Sequence, residues 1–260
     1  MEWGRIDPLL PGRTGWMIEG SSASSDCAFG FGCRFATVEA MVSHPGFHEW
    51  HHQSADGAMS SIFPDGCRDV LVIRRSMEAP RVVLTQLDLR VRTIGLAAGT
   101  KITGYRLRPG AVVDKTVLRA ISLEPEKAPS ILVEAAALPS DLEEVIGACT
   151  QSVGGLGAIS GNLGVSVRTM QRLFRAAALP PPDFWRRLAR ARRAVGLLQS
   201  SASLADIASD CGYSDQAHMT RETHRWFQKS PAQIRRDVPL HHLLSQPGLG
   251  NWTGEQISTR

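Results

Sequence analysis

The residues with the most informative chemistry lie between positions 168 and 175. Arg168, Gln171, Arg172 and Arg175 recur at the spacing that places side chains on one face of a helix. Arginine and glutamine carry paired hydrogen-bond donors and acceptors that match the edges of guanine and adenine in the major groove. A second face of the same helix is apolar and suits a protein core: Met170, Leu173, Phe174 and Ala177. The pattern predicts a helix that reads double-stranded DNA.

Three smaller signals place that helix in a helix-turn-helix unit. A short helix is predicted to end near Leu163, and Gly164 then makes a tight turn, because glycine enters left-handed backbone conformations freely. Ser166 can cap the next helix by accepting a hydrogen bond from an early backbone N–H. A helix, a glycine turn and a second helix with one polar face form the arrangement that a major-groove reader needs.

The same arrangement recurs further along the chain. Ser203 and Asp206 form a predicted capping box, Gly212 makes the turn, and Ser214 or Asp215 caps the following helix. The predicted inner stripe of that helix contains Met219, Thr223, Trp226 and Phe227. Its predicted outer face contains His218, Arg221, Glu222 and Arg225.

A further helix is predicted over residues 183–199, between the two units. The prolines before it suit a first helical turn, and a rigid helix here would hold the two reading helices about 34 Å apart. The charge indicates an anionic partner for this half, since residues 151–260 hold 14 basic and 7 acidic residues, against 15 and 18 in residues 1–150. A solvated basic face is the alternative explanation.

The first half of the chain has a different pattern. Short β-branched or alternating runs, punctuated by turn residues, predict a small β-sandwich or barrel, with strands at 69–73, 81–84, 90–94 and 105–108. Two short helices are predicted at 131–137 and 142–149. An apolar face on these helices either pairs two protomers or packs on its own barrel: Leu138, Leu142, Val145 and Ile146.

These patterns predict an α+β chain in three parts. Residues 1–152 form a β-rich sensor or dimerisation domain with terminal helices, residues 153–238 form an all-α DNA-binding domain, and residues 239–260 form a flexible tail. The apolar runs are too short to cross a membrane, and the first residues lack the apolar stretch of a secretory signal. We therefore expect a cytoplasmic protein without a membrane partner.

Residues 155–237 resemble the DNA-binding domain of the AraC/XylS family of transcription regulators, which has two helix-turn-helix units joined by a linker helix. The resemblance is carried by Leu163-Gly164-Val165-Ser166 with Gln171-Arg172-Leu173-Phe174, Ile207-Ala208, the run from Cys211 to Arg221, Ser230-Pro231 and Arg235-Arg236. It implies base contacts from two groups of residues: Arg168, Gln171 and Arg172 in the first unit, and Ala217, His218 and Arg221 in the second. For Arg175 and Arg225, contact with phosphate is the stronger expectation.

Two residues depart from the family pattern. Thr223 stands where the family usually has phenylalanine, and Gln228 stands where it usually has glycine. The smaller Thr223 side chain would thin the core of the second unit. We therefore expect the second unit to contribute less to sequence reading than the first.

The segment over residues 63–72 loosely resembles an element of the sensor-side domain of some AraC-type regulators, and residues 104–110 resemble another. Such domains are small, cupin-like β-barrels followed by helices. A barrel of this kind implies a mostly apolar pocket for a small-molecule effector. The candidate polar groups of that pocket are Trp50, Arg68 and Arg106.

The same segment also allows a metal site. Cys67 and Asp69 share one face of a strand, Asp65 could join them across the turn, and four histidines lie upstream: His44, His48, His51 and His52. In the alternative, which we favour, Asp65 makes a turn, Asp69 satisfies backbone donors, Cys67 packs inside, and the histidines lie on an exposed loop. Cys67 could also act as a thiol sensor, although the five widely spaced cysteines do not predict disulfides.

Together these features predict a sequence-specific DNA-binding transcription regulator whose N-terminal domain senses a small effector, forms a homodimer, or both. RNA polymerase is a further expected partner if the regulator is an activator. The alternative is a cupin-like metal-binding protein or enzyme with an accessory basic domain. The sequence contains no recognisable nucleophile–base pair and no phosphate-binding glycine loop, so we expect no enzymatic activity and no cofactor.

Overall fold

The computed structural model describes residues 39–44, 46–54, 57–135 and 139–252. It confirms the predicted α+β class, with antiparallel sheet first and helices after it. Expectations for the N-terminal region up to residue 38, including Cys27 and Cys33, lie outside the described residues, as do those for Leu138 and residues 253–260.

Within these ranges the strands are β1 (Glu39–Ser43), β2 (Phe47–Gln53), β3 (Ala58–Ile62), β4 (Asp69–Arg74), β5 (Arg81–Leu84), β6 (Arg92–Leu96) and β7 (Lys101–Leu107). Five of them form an antiparallel sheet in the order β1-β2-β7-β4-β5, and β3 pairs with β6 in a separate antiparallel pair. The sequence allowed a sandwich or a barrel, and strand pairing among the described residues gives two sheets with a cavity between them.

The five-stranded sheet is covered on both faces, as the alternation of its side chains requires. One face carries Phe47, Val70 and Leu107, which are buried under α1 (Lys115–Leu123) and α2 (Ala128–Ala135). The other face borders the cavity and the two-stranded sheet with Trp50, His52, Asp69, Leu71 and Arg106. Directly opposed residues on that face include Trp50 with Gly104 and Asp69 with Arg106.

The second half is helical. Its helices are α3 (Ser140–Gln151), α4 (Leu156–Asn162), α5 (Val167–Ala176), α6 (Pro182–Leu197), α7 (Leu204–Asp210), α8 (Gln216–Phe227), α9 (Pro231–Arg236) and α10 (Val238–Leu244). The linker helix α6 lies at the centre of this part, and Trp185 and Leu188 on it are fully buried in the apolar core. Within the described ranges, every helix is too short or too polar to cross a bilayer.

Helix α3 corrects one prediction. Its apolar side chains Leu142, Val145 and Ile146 neither pair two protomers nor pack on the β-sheet. They are buried in the helical core, because α3 packs along α6. The side of α6 that is buried carries small and apolar residues. Arg193 of α6 adds a hydrogen bond to the carbonyl oxygen of Thr150.

The segment after Pro239 corrects another prediction, because its described part is not a loose tail. Asp237 caps α10 by accepting a hydrogen bond from the Leu240 N–H, and Leu240 and Leu244 are buried against the helical core. The following residues, 245–252, which we call the C-terminal segment, lie against both α6 and the β-sheet. Leu249 at their centre is fully buried. The segment after Pro239 is polar overall, so its composition did not indicate that Leu240, Leu244 and Leu249 would be buried.

Candidate nucleic-acid interface and sensor cavity

The first helix-turn-helix unit, α4 and α5, is built by the local signals that the sequence contains. Gly164 adopts a positive φ of 65°, which makes the turn that glycine allows. The hydroxyl oxygen of Ser166 accepts a hydrogen bond of 3.0 Å from the backbone N–H of Thr169 and starts α5. The predicted turn and cap are therefore confirmed.

The two faces of α5 also match the prediction. Met170 and Phe174 are buried, and the ring of Phe174 lies 5.9 Å from that of Trp185 on α6. The outer face exposes Arg168, Gln171, Arg172 and Arg175. None of these three arginines forms an ion pair with a residue in the described ranges. Their charges are thus available to an anionic partner.

The second unit, α7 and α8, repeats the first. Ser203 and Asp206 form the predicted capping box, Gly212 has a φ of 71°, and Asp215 caps α8 by accepting from the backbone N–H of His218. Ala217, Arg221 and Arg225 are exposed on α8. His218 is only half-exposed, because its Nδ1 lies 3.1 Å from the Ser214 hydroxyl and its ring packs edge-on to Tyr213.

Glu222 corrects the predicted outer face of α8. Its side chain is buried, 3% exposed, and accepts a hydrogen bond of 2.8 Å from Nε of Arg187 and another from Arg190. Arg190 also stacks over the Tyr213 ring at 4.3 Å and donates to the carbonyl oxygen of Gly212. The hydrogen bond to Glu222 raises the pKa of Arg187, so the charged pair is favoured. This ion pair joins the second unit to α6.

The two departures from the family pattern both have structural consequences in α8. Thr223 is 1% exposed, and its hydroxyl has no hydrogen-bond partner among the described residues. Gln228 ends the helix in the left-handed region, with φ 55° and ψ 21°, where a side chain is strained and glycine is not. The helix is therefore held with an unpaired buried hydroxyl and a strained C-terminus.

A cavity of about 150 Å³ lies between the two sheets. Of the three side chains expected in an effector pocket, Trp50 and Arg106 line this cavity and Arg68 does not. The indole of Trp50 covers Gly104, where a Cβ atom would lie 2.1 Å from Cε2 of the ring. Its Nε1 donates a hydrogen bond of 2.9 Å to Asp69. A glycine at position 104 is thus what lets the indole pack flat on the sheet.

The predicted metal set of Asp65, Cys67 and Asp69 is not supported by the geometry. Arg106 pairs with Asp65 at 3.2 Å and with Asp69 at 3.3 Å, and Asp65 also accepts a hydrogen bond from the backbone N–H of Cys67. Burial and the carboxylate of Asp65 raise the pKa of the Cys67 thiol well above its ordinary value. In the part of the chain that the structure describes, no three His, Cys, Asp or Glu residues are placed to hold a metal ion.

The upstream histidines lie in or next to strand β2 rather than on an exposed loop. His48 is buried, and its Nε2 donates a hydrogen bond of 2.7 Å to the carbonyl oxygen of Trp252, while Nδ1 accepts from the Ser43 hydroxyl. His51 stays exposed and lies 3.3 Å from Glu49. Sequence reasoning missed these roles, because the strand places His48 beside a residue from the far end of the chain.

Comparison with known proteins gives matches to the C-terminal half. Residues 159–237 match the family described as "Helix-turn-helix domain". The chain is 38% identical over 78 residues to the HTH-type transcriptional regulator VirS of Mycobacterium tuberculosis, covering 30% of this chain and 23% of that protein. It is 36% identical over 80 residues to the HTH-type transcriptional activator RhaS of Shigella boydii, covering 30% of this chain and 29% of that protein. The matches thus span about a quarter of these regulators.

A solved structure from Chromobacterium violaceum, described as a transcriptional regulator with an AraC-type DNA-binding domain, is also similar. It is 28% identical, with 41% of this chain and 94% of that chain covered and a TM-score of 0.33. The matched residues in this protein contain both helix-turn-helix units and the linker helix described above. The family match and the two units on the linker helix together show that residues 159–237 are a helix-turn-helix domain.

Proposed function

We propose that this protein is a sequence-specific DNA-binding transcription regulator that acts in the cytoplasm and is not an enzyme. The observation that carries the proposal is the exposed basic face of α5, whose arginines form no ion pair with any of the described residues. The opposite, apolar face of α5 is buried in the helical core and holds the helix in place. The basic face of α8 is joined to the same linker helix. Two basic helices fixed on one support suit successive major grooves of a duplex.

The contacts follow from the position of each side chain. Arg168, Gln171 and Arg172 lie in the early turns of α5, which enter the groove first, and are proposed to contact bases. Ala217, His218 and Arg221 would do so from α8. Arg175 and Arg225 lie further along their helices and are proposed to contact phosphates. His218 is partly engaged by Ser214, so we expect it to contribute least among the polar members of this set.

Helix α3 packs in the helical core, so in place of the boundary expected at residue 152 the proposed division is a sensor domain before Ser140 and a DNA-binding domain from α3 onward. The cavity between the two sheets is the proposed effector site, with Trp50 and Arg106 in its wall. A homodimer, and contact with RNA polymerase in the case of an activator, are further parts of the proposal. Because the apolar face of α3 is buried within the chain, a dimer would need another surface.

Selection of bound duplexes from a random pool tests the proposal. We expect the full chain to enrich a defined site, and Arg172→Ala to weaken binding to that site by about tenfold or more, with relaxed preference at one position. Arg225→Ala should weaken all duplexes alike and reduce the salt dependence. Arg119→Ala, which removes an exposed arginine of α1, is the matched control and should leave affinity unchanged. If no site is enriched at moderate salt, the proposal is wrong.

A further inference from the structure

The cavity between the sheets is closed by residues from the helical half of the chain. Arg192 of the linker helix α6 borders it, as do Leu243 and Leu244 of α10 and Gln246 of the C-terminal segment. An occupant of the cavity would therefore touch the β-sheets and the support of the DNA-reading helices at the same time.

Arg192 ties α6 to the C-terminal segment. It is 7% exposed, and its Nε donates a hydrogen bond of 3.0 Å to the carbonyl oxygen of Leu249. One Nη atom donates to the carbonyl oxygen of Gln246 at 2.6 Å and to the side-chain oxygen of Asn251 at 2.9 Å. Arg192 forms no ion pair within the described ranges. These oxygens therefore accept the hydrogen bonds of a guanidinium whose burial without partners would cost free energy.

The other side of the same segment is tied to the cavity wall. The backbone N–H of Leu249 donates to the carbonyl oxygen of Asp65 at 2.8 Å. Arg106, which pairs with Asp65 and Asp69 inside the cavity, also donates to the carbonyl oxygen of Pro247 at 3.2 Å. The segment thus lies between two arginines, the partly buried Arg106 of the sheet and the buried Arg192 of the linker helix.

We propose that the C-terminal segment, residues 245–252, couples occupancy of the cavity to the position of the linker helix and hence to DNA binding. An occupant that moves the Arg106 side chain alters the hydrogen bond from Arg106 to the carbonyl oxygen of Pro247 in the segment. A shift of the segment then moves α6, because Arg192 of α6 is hydrogen-bonded to Leu249 of the segment. Helix α6 in turn packs against Phe174 of α5 and pairs with Glu222 of α8. The inference rests on the proposed function, because its readout is affinity for DNA.

The cavity wall also indicates the chemical class of the occupant. The charges in the wall balance one another, because three carboxylates face three guanidinium groups: Asp65, Asp69 and Asp88 against Arg92, Arg106 and Arg192. Each of the six also has an ion-pair or hydrogen-bond partner. A charged occupant would lose its hydration without gaining a free counter-charge. Nε2 of His52, in the wall, is buried without a partner among the described residues and could bond a hydroxyl or carbonyl group. The cavity therefore suits an uncharged, roughly benzene-sized molecule with one polar group.

A double-mutant cycle tests the coupling without knowledge of the effector. Ile94→Phe places a larger side chain in the cavity and imitates an occupant. We expect it to change the dissociation constant of the full chain for its selected duplex about fivefold or more. In an Arg192→Met background the change should fall below about twofold. Arg186→Met, which removes an arginine of α6 that pairs with Asp183, should preserve the change.

The outcomes are separable. If the wild type selects no duplex, the proposed function is wrong. If it binds its duplex but Ile94→Phe leaves the affinity unchanged, or if the change persists in Arg192→Met, the coupling is wrong and the proposed function stands. If circular dichroism shows that Arg192→Met is unfolded, Asn251→Ala replaces it, since it removes one acceptor of the same guanidinium. An undiminished effect in Asn251→Ala then overturns the coupling.

The chemical class is tested with three probes of similar size: benzyl alcohol, benzylamine and benzoate. Thermal unfolding of the full chain should shift upward with millimolar benzyl alcohol and stay unchanged with the two ions. The shift should be absent in Ile94→Phe, which fills the cavity. A shift from either ion equal to that from the alcohol, or none from the alcohol, overturns the assignment.

Discussion

Oε1 of Glu222 accepts a hydrogen bond of 2.8 Å from Nε of Arg187, which joins the second reading helix to the linker helix. Glu222 follows Arg221 directly and precedes Arg225 by three residues on α8. This buried ionic contact, which Arg190 also makes, fixes α8 on α6. The orientation of the second reading helix therefore depends on this carboxylate.

Removal of that carboxylate should destabilise the protein. We expect Glu222→Ala to lower the free energy of unfolding by about 3 kcal/mol, since two arginines lose a buried partner while Arg187 keeps some contact with water. Urea denaturation measures the change. Glu143→Ala, which removes the exposed partner of Arg108, should cost less than about 1 kcal/mol. Equal losses in the two variants would contradict the role given to Glu222.

The left-handed C-terminus of α8 predicts a stabilising substitution. We expect Gln228→Gly to raise the free energy of unfolding by about 1 kcal/mol, because glycine adopts the observed φ of 55° without strain. Ala178→Gly, at a φ of 51°, should act in the same direction. Glu144→Gly, in the middle of α3, should destabilise by a similar amount. Chemical denaturation of the three variants distinguishes the strained positions from an ordinary helical one.

Buried His48 and partly buried His241 should make stability depend on pH. Burial lowers the pKa of His48 and of His241 below the ordinary value of 6.5, against the opposing effect of their hydrogen bonds to the carbonyl oxygens of Trp252 and Val195. Below pH 6.5 the unfolded histidines take up protons while the folded ones stay neutral. Their contribution to the free energy of unfolding is therefore present above pH 6.5 and is lost as the pH falls through the folded pKa.

The double variant His48→Gln/His241→Gln isolates this effect, because glutamine retains an N–H donor and does not titrate. We expect the urea midpoint to fall between pH 7 and pH 5 more steeply in the wild type than in the double variant. Parallel pH profiles would show that the two histidines are not the origin of the dependence.

Cys67 should be chemically inert in the folded protein. Its thiol is buried and its pKa is raised, so little reactive thiolate forms near neutral pH. We expect iodoacetamide to label Cys67 about tenfold or more slowly in the native protein than in urea, as measured by peptide mass spectrometry. Rapid native labelling, or a DNA affinity that changes on mild oxidation, would revive the thiol-sensor hypothesis.

Local signals in the sequence were enough to predict the helix-turn-helix units. Gly164, Ser166 and Asp215 act on backbone groups within a few residues, so their types and spacing determine the turns and caps. The partners of Glu222 could not be predicted in this way, because Arg187 lies 35 residues away and the pairing depends on how α6 crosses α8. The spacing along α8 also does not distinguish the buried Glu222 from the exposed Arg221 and Arg225.

The first half could be predicted less completely. Alternation of polar and apolar residues indicated strands. Trp50 and Arg106 both face the cavity because they lie on the same face of the five-stranded sheet. Asp65 and Asp69 looked like metal ligands because the sequence does not show that Arg106 lies between them. The role of residues 245–252 depends on contacts with Asp65 and Arg192, which tertiary folding alone brings together.

The position of α3 limits where the chain can be divided to make stable fragments or domain chimaeras. The glycine-rich loop at Gly154 and Gly155 looks like a natural junction, yet α3 precedes it and fills the apolar groove along α6. A fragment or chimaera that begins after this loop would leave that groove open to water and expose the surface that Leu142 and Ile146 cover. Exchange of sensor modules with related regulators should therefore succeed only when the breakpoint lies ahead of Ser140.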